Sequence, residues 1–167
     1  IIIDCFFYFS STFNYNKKSN FEQLKIKEYS VEDLYVTVEY YIEETNNLNI
    51  KISKKKENKV QSSYSFNDLK NKCVSSITNE EWLYQNKKIN NFPVKKSIFS
   101  NPLSYMGFTG YINPFTLEAN INYNIPKISI PVTICHEIAH QIGYAFEDEA
   151  NYIAIKALSN SNDNFLR

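Results

Sequence analysis

The chain has 167 residues, enough for one domain with a modest core. Lys+Arg 18 balances Asp+Glu 18, so there is no global basic field of the kind that holds nucleic acid. Cys5, Cys73 and Cys135 form an odd set without CxxC spacing, which argues against a disulfide framework and against a cysteine zinc site.

The chain opens on Ile1-Ile2-Ile3-Asp4-Cys5-Phe6-Phe7-Tyr8-Phe9. This run is shorter than the about 20 apolar residues that cross a bilayer. It lacks the basic flank of a signal peptide. It fits either a core strand or the tail of a transmembrane helix. The Tyr and Phe side chains near Lys17 and Lys18 resemble an interfacial belt with its charged flank, which favours the second reading.

Ser30-Val31-Glu32-Asp33 has the form of a capping box. After it Val31, Leu34, Tyr35, Val38, Tyr41, Ile42 and Thr45 recur at helical spacing, which predicts a helix over about 31–46. Asn46-Asn47 is expected to end it, and residues 51–59 to form a solvated loop or short strand. Phe66, Leu69, Cys73, Val74 and Ile77 predict a second amphipathic helix. Thr78-Asn79-Glu80-Glu81 is expected to cap a third, carrying Trp82 and Leu83. Asn90, Asn91 and Pro93 break the pattern. Residues 94–100 have strand character.

The texture then changes, with two of the three glycines among Tyr, Asn and Thr. Residues 108–115 read as strand, turn, strand. Leu117, Ala119, Ile121 and Tyr123 alternate with polar residues, as in a half-buried strand. Pro126 stops it. Pro131 suits the first turn of the next helix, where its missing N–H costs nothing. Gly143 is expected to end that helix. Another helix follows over 147–158, packing through Ala150, Ile153, Ala154, Ala157 and Leu158, and Asn160 to Asn164 is expected to fray.

The chemistry lies in the helix between Pro131 and Gly143. It contains His136-Glu137-Ile138-Ala139-His140, an HExxH run whose histidines are the only 2 in the chain. Residues i and i+4 share one helix face, so both imidazoles can reach one ion. Glu137 stands beside them as a base for a water activated there. That is the layout of a zinc-dependent hydrolase.

A catalytic zinc site needs a third protein ligand and an open position. Glu147, Asp148 and Glu149 lie downstream of a glycine that lets the chain reverse. Glu147 is the preferred ligand. Asn151, one turn later, would orient a histidine from behind. Glu149 is the alternative ligand. The strand around Leu117 to Asn122 fits either ordinary core sheet or an edge that pairs with an extended peptide. The usual cationic oxyanion donor is missing, because no third histidine exists and the single arginine is Arg167. Tyr111, Tyr144 and Tyr152 are the candidate donors.

Thr109 to Thr116, Glu118-Ala119-Asn120, Thr133 to Gly143 and Glu147 to Ala154 together resemble a bacterial membrane-protein family. It is a domain of unknown function, thirty-eight-ten, whose members are similar to zincin metallopeptidases. Residues 100–158 carry most of the likeness, and Phe9 to Tyr15 is similar to the family's exit from its last membrane span. The resemblance implies an α+β fold, mainly helical, with a small sheet before the HExxH helix. It implies the end of a transmembrane helix over residues 1–13 and a zincin-like domain over 14–167 that continues beyond Arg167. It implies a membrane-anchored zinc peptidase acting on peptide or protein substrates at the bacterial membrane. The alternative is an inactive zinc-binding homologue that serves as a structural or partner-binding module. In gluzincin peptidases an aspartate stands four residues after the ligand glutamate. Here that place holds Asn151.

Overall fold

The computed structural model describes residues 29–53, 62–84 and 92–167. The expected end of a transmembrane helix (1–13), Cys5, residues 54–59 and the Asn90-Asn91 break lie outside them. Among the described residues no helix is long and apolar enough to cross a membrane.

The architecture is mixed α+β and mostly helical, with one three-stranded sheet. Helix α1 spans Val31–Ser53. Its start is the predicted capping box: Ser30 Oγ accepts from the Asp33 amide at 3.1 Å, and Asp33 Oδ2 accepts from the Ser30 amide at 3.0 Å. The helix does not stop at Asn46-Asn47 but continues through Lys51. An asparagine in a helix costs only about 0.5 kcal/mol, and buried Leu48 outweighs that.

Helix α2, Phe66–Thr78, buries Phe66, Leu69, Cys73 and Ile77 as the spacing requires. Ser65 and Asp68 form its capping box. The expected third helix at Trp82 is a single 3-10 turn, Glu81–Tyr84. Glu80 does not cap it. Its buried carboxylate instead accepts from Trp82 Nε1 at 2.6 Å and from Asn160 Nδ2 at 2.7 Å, tying the turn to the far end of the chain.

Strand β1 covers only Val94–Lys96. The rest of the expected strand turns into a short helix, α3, Ser100–Met106, with Pro102 in its first turn. Strand β2 is Gly110–Ile112 and strand β3 is Ala119–Ile121. The turn expected inside 108–115 lies later, at Asn113–Thr116. There Asn113 Oδ1 accepts from the amides of Phe115 and Thr116. Leu117 is outside the strand, in left-handed backbone at φ 56°, with its side chain exposed.

The sheet order is β1-β3-β2, with β1 parallel and β2 antiparallel to β3. Of the two readings of the strand around Leu117 to Asn122, core sheet or peptide-pairing edge, the first holds: β3 is the middle strand, hydrogen-bonded on both sides. Its buried Ala119 and Ile121 show why: a strand with its inward side chains fully covered sits at the centre of a sheet.

Helix α4, Ile130–Ile142, follows a 3-10 turn at Lys127–Ser129 and packs beneath β2 and β3. Gly143, at φ 106°, ends it as predicted. Helix α5, Glu147–Ser159, returns along α4 and buries Ala150, Ile153, Ala154, Ala157 and Leu158. The chain after α5 does not fray. Leu166 is buried, and Asp163 accepts from Tyr64 Oη at 2.7 Å and pairs with Lys72 Nζ at 2.8 Å. Burial raises the Asp163 pKa, but Lys72, Tyr64 and the Phe165 amide outweigh it and hold the carboxyl below its ordinary range.

Candidate metal centre

The two α4 histidines present their rings to the same side, one turn apart. Their Nε2 atoms lie 3.0 Å apart. Gly143 reverses the chain, so α5 begins beside them. Glu147, the first residue of α5, brings Oε2 to 3.1 Å from His136 Nε2 and Oε1 to 3.5 Å from His140 Nε2. The ligand atoms of these three side chains all lie within 4.8 Å of one another. Two ligands about 2.05 Å from one zinc at a tetrahedral angle are separated by about 3.3 Å. The observed separations fit that span.

The other ring nitrogens select the tautomer of each neutral ring. His136 Nδ1 lies 2.9 Å from Asn151 Oδ1, and His140 Nδ1 lies 2.6 Å from the Tyr144 carbonyl oxygen. Both partners are acceptors, so a neutral ring at either place carries its proton on Nδ1 and its lone pair on Nε2. Two bare lone pairs pointed at each other across 3.0 Å repel unless a proton or a metal ion lies between them. Burial, and then His140, hold the His136 pKa below the ordinary imidazole range, against the pull of Glu147. A metal ligand must be neutral in this way.

Glu137 turns to the other side of the ligand pair, toward the sheet. It is 5% exposed. Burial, and then the Glu147 charge, push its carboxyl up to about 7. Gly110 makes room for it. A Cβ there would lie 2.7 Å from Glu137 Oε1 and 3.0 Å from Thr133 Cγ2. Sequence reasoning passed over this glycine, although a glycine inside a strand signals close approach by another group.

The structure thus brings together His136, His140 and Glu147, with Asn151 behind His136 and Glu137 alongside. It does not bring in Glu149, which is buried and lies two residues, roughly 200°, around α5 from Glu147. Of the candidate oxyanion donors, Tyr144 packs its side chain against the hydrophobic core, and Tyr152 packs its ring 6.3 Å from Trp82. Tyr111 lies in β2, where its neighbour Gly110 faces Glu137. Adjacent strand residues face opposite ways, so Tyr111 points from the far face of the sheet. Arg167 pairs with Glu44 at 3.0 Å.

A family model described as protein of unknown function (DUF3810) matches residues 1–167, so the chain belongs to that family. No curated protein and no solved structure matches it.

Proposed function

We propose that this chain is a zincin-like, zinc-dependent peptidase, with His136, His140 and Glu147 as metal ligands and Glu137 as general base. The observation that carries the reading is the ring arrangement. Both histidines have an oxygen acceptor at Nδ1, and both Nε2 atoms converge with a carboxylate on one point. Two imidazoles and a carboxylate are a catalytic zinc donor set that leaves a fourth position open. Asn151 does what a carboxylate does in related sites, fixing the tautomer and aim of a ligand histidine without adding charge.

Zinc bound there supplies Lewis acidity and lowers the pKa of a water in the open position. The remaining work falls to the protein. Glu137, with a pKa near neutrality, takes a proton at its carboxylate oxygen from the attacking water and returns it to the leaving amine nitrogen. Its place against Gly110 holds that oxygen still and excludes bulk water from its inner side. Strand β2 has β3 on one side and no strand on the other among the described residues. Glu137 lies against the face of β2 at Gly110, so an extended peptide adding to the open side of β2 would run near the base. Peptide or protein is accordingly the substrate class. Membrane anchorage, implied by the resemblance, belongs to the same proposal and rests on residues 1–13.

One observation favours the second reading, a silent zinc-binding module. Arg167 is paired with Glu44, Tyr144 packs against the hydrophobic core and Tyr152 packs on Trp82, so these candidate oxyanion donors are committed to other contacts. Glu137→Gln separates the two. A peptidase loses turnover of a peptide library by about 10²-fold or more while keeping its zinc. Zinc-loaded wild type that cleaves nothing supports the silent module.

A further inference from the structure

Helix α1 is built unlike the rest of the molecule. Val31, Leu34, Val38, Tyr41, Thr45, Leu48 and Ile52 follow one another at spacings of three and four, the heptad pattern of a coiled-coil seam. Among the described residues, only the end of that seam meets the body, where Leu48 is buried and Glu44 pairs with Arg167. Val31, Leu34, Val38 and Tyr41 are 46–63% exposed. A stripe of this length left in water is the mark of an interaction face.

The charges say what kind. Glu32, Asp33, Glu39 and Glu43 all lie off the seam, on the side of the helix turned away from it. The one charge flanking the free seam, Glu44, is neutralised by Arg167. Two copies of this face therefore meet without like charges opposed. β-Branched Val31 and Val38 at one seam position, with Leu34 at the other, favour a two-stranded pair.

We propose that α1 is a self-association element whose free seam, Val31 to Tyr41, packs on the same seam of a second copy of this chain. Val38 stands at the middle of the uncovered stretch 31–45, so it meets its counterpart whichever way the two helices run. Val36 lies outside the seam and serves as control, although it is also exposed.

The test is sedimentation equilibrium on the full chain, with helix content followed by circular dichroism. Wild type and Val36→Asp are expected at twice the chain mass, and Val38→Asp at the single mass with its helix content kept. A monomeric wild type overturns the proposal and leaves the face to a membrane surface or another protein. Equal behaviour of the two aspartate variants overturns it as well. Should Val38→Asp lose α1, cross-linking decides instead. With Cys5 replaced by serine, Val38→Cys is expected to form a disulfide between copies under oxidised glutathione, and Val36→Cys is not. Equal yields contradict the seam.

Discussion

Helices α4 and α1 both carry apolar residues at helical spacing, yet only α4 is covered by the rest of the chain. In α4, Ile130, Ile134, Cys135, Ile138 and Ala139 are buried at 0–1% exposure between the sheet, α2 and α5. In α1 a stripe of similar composition faces water over three turns. Periodicity therefore tells which face of a helix is apolar and leaves open what covers it. In α4 the covering is internal, and it does a second job. It fixes the helix against the sheet, so the opposite face presents His136 and His140 at a set angle to Glu147. Among the described residues, helix α1 has such support only at its end, at Leu48 and Glu44.

Truncation is the hardest way to break this contrast. Ile134→Ala is expected to cost about 2–5 kcal/mol in urea unfolding, because it leaves a cavity in the core around α4. Leu34→Ala, measured on dilute protein, is expected to cost less than about 0.5 kcal/mol, since the side chain is half in water. Similar losses in the two variants would mean that α1 packs on the body.

Gly110→Ala probes the contact between sheet and site. Its methyl group enters the space of Glu137 Oε1 and Thr133 Cγ2, so a loss of about 1–3 kcal/mol is expected, together with displacement of the base. An alanine variant as stable as wild type would show that Glu137 has room to move.

Glu137→Gln gives a smaller effect of opposite sign. The folded protein raises this carboxyl from its ordinary value of 4.5 to about 7. The folded state therefore holds the proton more tightly than the unfolded state, and stability falls as pH rises between those values. In metal-free protein above pH 7 the glutamine variant is expected to be more stable by on the order of 2 kcal/mol. Below about pH 4.5 the two proteins should unfold alike. An unchanged difference across that window would remove burial as the cause of the raised pKa.

Much of the site could be read directly from the residues. Pro131, the i, i+4 histidines and Gly143 set the limits and face of α4 with local information alone. The reversal at Gly143 brings Glu147, not Glu149, to the histidines, because α5 starts at Glu147 and rotates Glu149 away. What was not legible depends on distant partners. The central place of β3 depends on pairing with Val94–Lys96, some twenty-five residues earlier. The role of Gly110 depends on the carboxylate that α4 lifts against it. Helix α3 is only 7 residues long and rich in Ser, Asn and Pro, so its periodicity has no length in which to show. The tail after α5 looks like a polar fray until Tyr64 and Lys72 reach Asp163 across the fold.

The most direct test of the central claim is metal content, measured by elemental mass spectrometry on purified wild type, Glu147→Ala and Glu149→Ala. The geometry predicts about one zinc per chain in wild type. The metal should be lost with Glu147→Ala and kept with Glu149→Ala. A folded wild type without zinc after exposure to the metal, or a Glu147→Ala variant that holds it as tightly, would contradict the assignment.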